Sequence, residues 1–436
     1  MNQQPPVFLY SWFATCLLLS SVAMARSVLG PPVPELPPVS QGVFRQPVII
    51  DWSANEAPTA PPGFIVEKFA GDLKFPRWLL VLPNGDVLVS QARAESLGGI
   101  APELTEALTR QGVLGPSPNT IILLRHTDEG LMRNVFLDGL RQPFGMALLN
   151  DYLYVANTDA LVRYRYHPGV SRIESLAEKI LEIPSGEQTR YWNNHWTRNL
   201  VVSPDRKKLY LSVGAATNVN AKGIDHPERA AIWELNPDGS DKRLYATGLR
   251  NPVGMDNDPF TGDLWATVNE RDGLGEDVPP DFLTRVVDGA FYGWPYVYFG
   301  TYPDPTHARL NPERVAAAQK TARVPDLALG AHSVPLGLLF YRGNQFPDKY
   351  RRGAFVARRG GVSRARLLGF DVVFVPFANG DPVGEIEPFL SGFIEDYDQG
   401  TVHGRPVGLA MLPDGSLLVA DDAGNTIWRV AYSATQ

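Results

Sequence analysis

The chain has 436 residues and carries 40 Lys and Arg against 47 Asp and Glu, a formal charge of −7. A 44 % apolar share with 20 % charged residues is globular and excludes general disorder. The acidic balance, with no dominant basic cluster, excludes a dedicated nucleic-acid binder. Abundant glycine (40) and proline (38) favour short strands joined by turns over long helices.

Residues 7–25 (VFLYSWFATCLLLSSVAMA) are apolar and uncharged and end in Ala23-Met24-Ala25, a small-x-small cleavage pattern ahead of Arg26. Residues 1–25 are therefore expected to be a secretory signal peptide, with export to the periplasm or the exterior. The alternative is a retained membrane anchor, because about 18–20 apolar residues can span a bilayer. Cys16 is the single cysteine and lies inside this segment. Its removal would leave no disulfide, thiol nucleophile or cysteine metal site. Residues 26–62 follow as a Pro-rich stretch (PPVPELPPVS, then APTAPP), expected to be an extended linker.

From Gly63 to the C-terminus one unit recurs: a Pro or Thr lead-in, a short apolar strand, a turn, and a second apolar strand. Its copies begin at Pro76, Pro143, Thr197, Pro252, Pro335 and Pro406. Turns such as Pro83-Asn84-Gly85, Pro204-Asp205-Arg206 and Pro413-Asp414-Gly415 supply the left-handed or pre-set dihedrals a hairpin needs. Each copy is too small to bury its own apolar face. The expected fold is all-β, a six-bladed β-propeller over residues 63–436, with two stacked sandwiches as the alternative. The strand at 63–69 is expected to close the ring by pairing near 427–430. Residues 310–322 form the one helix expected from the pattern.

Nucleotide-binding, zincin, hydrolase-elbow and c-type haem motifs are absent from the sequence. Chemistry is therefore sought at strand ends and loops. His195, in Asn193-Asn194-His195-Trp196, stands before a strand and can act as a proton acceptor; a packing histidine is the alternative. Arg250-Asn251 pairs a guanidinium with an amide, suited to carboxylate or quinone oxygens, or simply occupies a turn. The loop Asn269-Glu270-Arg271-Asp272-Gly273, with Asp281 beyond it, offers oxygens to a hard cation such as Ca²⁺, or is a solvated acidic loop. A basic run (Arg351, Arg352, Arg358, Arg359, Arg364, Arg366), with Arg405 later, can hold an anionic cofactor or merely be solvated.

The stretch from Gly248 to Gly300, with RNP-x-G, NERD, PPD-x-L and YGWP in order, resembles the pyrroloquinoline quinone (PQQ)-dependent sugar dehydrogenases, most of all their sorbosone dehydrogenase branch. The resemblance extends over residues 63–432 and implies a six-bladed propeller with PQQ across its mouth and Ca²⁺ beside the quinone. It implies His195 as catalytic base, with Gln142, Asn194, Arg250, Asn251, Arg358 and Arg405 around the cofactor. Arg271 and Asp272 would ligate Ca²⁺ through backbone carbonyls, and Asp281 through its carboxylate. The implied reaction oxidises an aldose or aldehyde sugar. With no haem or flavin motif, the electrons would pass to an external acceptor, a cytochrome or quinone. Departures from the family pattern are Asn194 in place of an aspartate, Val407 in place of a second late arginine, and Arg359–Arg364 in place of H-G-S-W-N-R. A Ca²⁺-dependent propeller lactonase and a non-catalytic carbohydrate- or protein-binding propeller are the competing functions.

Overall fold

The computed structural model describes residues 30–98, 102–110, 113–186 and 193–433; the expected signal segment and Cys16 lie outside them. Six antiparallel sheets follow one another along the chain. The first is Pro76–Val81, Val87–Gln91, Thr120–Thr127 and Gly130–Leu137. The second is Met146–Leu149, Tyr152–Ala156, Ala160–Arg165 and Glu178–Glu182. The third is Leu200–Val202, Leu209–Val213, Ala231–Leu235 and Arg243–Thr247. The fourth is Pro252–Asn257, Leu264–Val268, Asp281–Arg285 and Leu327–Gly330. The fifth is Pro335–Phe340, Gly353–Arg358, Asp371–Ala378 and Glu387–Leu390. In the sixth, Pro406–Met411, Leu417–Asp421 and Thr426–Tyr432 are joined by Phe64–Ala70 from the start of the repeat region.

The turn chemistry sets the hairpins. In the first sheet Gly85 takes a left-handed φ of 86° between Leu82 and Asp86, which hydrogen-bond across the turn; Gly415 does the same in the sixth between Leu412 and Ser416. Both faces of these sheets are apolar, so each must be covered by a neighbour. Buried clusters fill the space between sheets one and two, two and three, three and four, four and five, five and six, and six and one. The first strand of each sheet touches the first strand of the next, and that of the sixth returns to the first. At the centre, Trp78, Phe144, Trp196, Val253, Leu336 and Val407 pack together, one from each sheet or its lead-in.

The helix expected over 310–322 is two: Pro305–Leu310 and Pro312–Thr321, separated at Asn311. Proline at the first position of each starts a helix without wasting a donor. A further helix, Pro102–Arg110, stands in the first sheet's long connection. Among the described residues no helix is long and apolar enough to cross a membrane.

Outside a turn at Ser53–Glu56, residues 30–62 are largely extended, as their prolines require, and they are held against the body. Backbone that makes no internal hydrogen bonds must find partners elsewhere. Ser40 N–H donates to Leu274 O (2.9 Å), Val48–Ile49 pairs in parallel with Thr401–Val402, and Trp52 Nε1 donates to Asp421 (2.9 Å) while stacking on His403. The segment thus runs as a strap over loops of the fourth to sixth sheets.

Candidate functional site

His195 lies at the loop-to-strand junction before the third sheet. Its Nδ1 is 2.6 Å from Ala215 O. A carbonyl only accepts, so Nδ1 carries the proton and Nε2 keeps its lone pair. Burial, together with the nearby Arg250 and Arg229 charges, holds the imidazole well below its ordinary range, so it is neutral at pH 7. Two buried arginines fix its backbone. Arg198 donates to His195 O at 2.7 Å, and Arg229 reaches His195 O (3.1 Å), Ala215 O (3.2 Å) and Gly214 O (2.7 Å). Position 214 must be glycine: a Cβ there would lie 2.3 Å from Asn251 Oδ1 and 2.7 Å from the His195 Cβ.

Arg250 is fully engaged with neutral acceptors. It donates to Asn218 O (3.0 Å), Asn218 Oδ1 (2.8 Å), Glu270 O (2.7 Å) and Asn269 O (3.2 Å). It therefore shapes the 269–272 loop beside His195. Asn251 Oδ1 is buried and has no hydrogen-bond partner, an arrangement that favours a ligand donor.

Of the groups expected to hold Ca²⁺, the Asp272 carbonyl and the Asp281 carboxylate are turned to protein donors. Asp272 O accepts from Asn218 Nδ2 (3.1 Å) and Arg271 Nε (3.0 Å). Its carboxylate accepts from Ser363 Oγ (2.8 Å) and faces His332 Nδ1 at 3.2 Å. Asp281 accepts backbone N–H bonds from Glu270 and Val334, both 2.8 Å, and burial pushes its carboxyl up to about 6. The Arg271 side chain pairs with Asp304 at the start of the inserted helices. No three His, Cys, Asp or Glu side chains converge in a metal-ligating group among the described residues. As arranged, the Asp272 carbonyl and the Asp281 carboxylate are engaged by the protein itself.

Asn194 and Gln142 lie on the other side of His195. The Asn194 amide bonds both ways with the Gly98 backbone (2.8 and 3.1 Å), pinning a loop of the first sheet. Gln142, at a left-handed φ of 44°, donates from Nε2 to Arg93 O (2.9 Å). Gln142 lines a cavity of about 290 Å³ with Glu95, Ser96, Thr158, Ser185 and Asn193. Its walls offer both donors and acceptors, as a polyol requires.

Across the ring, three guanidiniums meet one carboxylate. Arg77 pairs with Asp422, Arg359 Nε donates to it at 2.7 Å, and Arg405 Nε at 3.2 Å. Asp422 is 2 % exposed, and its three cations hold its carboxyl far below the usual range. Arg405 thus stands in a charged cluster. Arg358 does not join it: its side chain forks onto Asp371 (2.7 and 2.5 Å) and reaches Leu329 O. Arg359 takes the place in its stead.

Arg77, Arg198 and Arg229 were not expected at the site. Two of them carry a signal in the repeat register. The residue after each lead-in is Phe144, Val253, Leu336 and Val407 in four copies, and Arg77 and Arg198 in the others. A guanidinium at a position its sister repeats fill with hydrocarbon needs a buried partner. Arg229 has no such mark.

The family model for glucose/sorbosone dehydrogenases matches residues 152–372, half of the chain. The chain belongs to the glucose/sorbosone dehydrogenase family, a family of sugar oxidoreductases. A protein of Borreliella burgdorferi described only as uncharacterised is 28 % identical over 315 residues, 67 % of this chain and 76 % of that protein. Among solved structures, the calcium structure of the Trichoderma reesei carbohydrate-active enzyme of family AA12 aligns with a TM-score of 0.66 at 20 % identity, covering 86 % of this chain and 97 % of that one. The holo form of the pyranose dehydrogenase PQQ domain from Coprinopsis cinerea aligns with a TM-score of 0.67 at 18 % identity, covering 87 % and 98 %. These alignments carry the fold.

Proposed function

We propose that the chain is an exported six-bladed propeller dehydrogenase that oxidises an aldose or aldehyde sugar with PQQ and passes the electrons to an external acceptor. The blade count is supported by six sheets whose first strands touch in a closed circuit around a shared apolar plug. The cofactor is supported by the residues around the mouth. A planar polycarboxylate quinone needs cations for its carboxylates and a donor-acceptor edge for its ring oxygens and nitrogens. The Arg77–Arg359–Arg405 cluster and the unpartnered Asn251 Oδ1 fit those needs. When bound, the quinone supplies the hydride acceptor.

The observation that carries the reaction is the state of His195. Its proton sits on Nδ1 against Ala215 O, and Nε2 has no partner among the described residues. A neutral imidazole held this way takes the proton of a sugar hydroxyl at Nε2 as the C–H bond is broken. Ala215 O holds the ring, Arg198 and Arg229 fix the His195 backbone, and the polar cavity beside Asn193 holds the remaining hydroxyls. Ca²⁺ is assigned no step here, because the Asp272 carbonyl and the Asp281 carboxylate already accept from protein donors.

The test is titration of purified protein with PQQ, with and without Ca²⁺, followed by dye reduction over a panel of aldoses. PQQ-dependent turnover is expected. Lactone hydrolysis without PQQ would replace the proposal with a hydrolase, and carbohydrate binding with no turnover under any condition would replace it with a binding module. His195→Ala should lower turnover by about 10²–10⁴-fold with PQQ affinity unchanged; an unimpaired variant removes the assigned role.

A further inference from the structure

We infer that Arg77 is a carboxylate-binding residue for the cofactor, supplying from the first sheet the charge that Val407 does not supply from the sixth. The inference rests on the PQQ reading above and adds to it a residue that the family resemblance did not indicate.

Three observations meet at this side chain. The first is charge. Arg77, Arg359 and Arg405 converge on Asp422, and all but Arg359 are buried below a tenth exposure. Asp421 is the next acidic group. Its carboxylate is taken up by the backbone N–H groups of Arg405 and Gly424 and by the Trp52 indole. Even counting Asp421 as ionised, three guanidiniums face two carboxylates, so at least one positive charge lacks a counter-ion. An uncompensated buried charge is costly unless a ligand neutralises it.

The second is hydrogen bonding. Arg77 Nε is buried without a partner, although one of its terminal nitrogens is paired with Asp422. A guanidinium has five N–H donors in a fixed fork, and one carboxylate edge cannot use them all. Burial pulls the group down to about 9, which leaves it charged at neutral pH.

The third is position. Arg77 follows the first lead-in as Val407 follows the sixth. Val407 is fully buried in the apolar plug, whereas the Arg77 guanidinium lies over the rims of that plug, 5.7 Å from the Phe144 ring and 5.3 Å from the Trp196 ring. Trp196 is the neighbour of His195, so Arg77 extends the charged cluster toward the catalytic side. The first and sixth first strands are in contact, which lets one replace the other as the source of a charge at their shared edge.

The experiment is a binding titration on full-length protein, followed by absorbance, with PQQ and with its trimethyl ester, which lacks the anionic carboxylates. Loss of one charge-assisted contact is worth roughly ten- to a hundredfold in affinity. Arg77→Gln should weaken PQQ by that factor and leave the triester unchanged. Equal loss for both ligands, or for neither, overturns the inference while wild-type PQQ binding keeps the proposed function standing. Should Arg77→Gln not fold, Arg77→Lys, which keeps the charge but loses the fork, decides: a loss confined to PQQ upholds it, and equal loss for both ligands or for neither overturns it. Absence of binding to either ligand by wild-type protein defeats the proposed function itself, and this inference with it.

Discussion

The two sides of the ring use buried arginine in opposite ways. Beside His195, Arg198, Arg229 and Arg250 donate to backbone carbonyls and amide oxygens, and none has a carboxylate as hydrogen-bond partner among the described residues. Beside Asp422, Arg77, Arg359 and Arg405 share a single carboxylate. The first set works as scaffolding: a planar fork of donors stitches several loops into one fixed shape, while burial, with the charges of Arg250 and Arg229, keeps His195 neutral. The second set works as a reservoir of positive charge. Residue type is the same on both sides, and burial too except at the partly buried Arg359; the partner decides the role.

The sharpest way to break this contrast is Asp422→Asn. Truncating the shared anion of a buried cluster leaves uncompensated charge and costs about 3–5 kcal/mol, read as the shift in a urea unfolding midpoint. PQQ should then restore more stability to this variant than to wild type, because the anion is lacking. The folded Asp422 carboxyl lies far below its usual value. Its contribution is therefore present above about pH 4 and lost as the pH falls below that, and the variant should lack this acid limb. On the other side, Asn218→Ala removes the neutral oxygen shared by Arg250 and the Asp272 N–H. It should cost only about 1–3 kcal/mol, with no special recovery on adding an anion. Equal losses for the two variants would erase the distinction.

Much of the architecture is legible in the sequence because its causes are local. Turn residues and paired apolar strands recur six times, and the strand at 64–70 pairs with 426–432 where the pattern places its partner. The helix at 102–110 leaves little trace, being nine residues long with weakly apolar content. In the site, the place of His195 before a strand is legible, whereas what supports it is not. Arg229 acts on carbonyls 14, 15 and 34 residues away, and nothing nearby in the chain announces that. The exchange of Arg358 for Arg359 has a simple cause. Adjacent residues leave a strand on opposite sides, and Arg358 ends the strand Gly353–Arg358 facing Asp371, so the next residue is the one that reaches Asp422. The strap over 30–62 shows the same limit, since proline content dictates extension and says nothing about what the extended chain lies against.

The smaller test separates position from charge within the scaffolding side. Arg198→Met and Arg229→Met each remove a donor to His195 O, and each should cost about 1–3 kcal/mol of stability through unsatisfied carbonyls. Only Arg229 also holds the imidazole down by its charge; Arg198 is not among the groups that shift it. A nearby cation disfavours the imidazolium, so removing Arg229 must raise the His195 pKa toward its ordinary 6.5. The acid limb of the pH–rate profile for kcat/KM should therefore move upward in Arg229→Met and stay in place in Arg198→Met, with turnover in both falling less than in His195→Ala. Matching profiles for the two methionine variants would reduce Arg229 to a purely structural brace. A shift confined to Arg229→Met would show that the backbone-stitching arginines also tune the base they position.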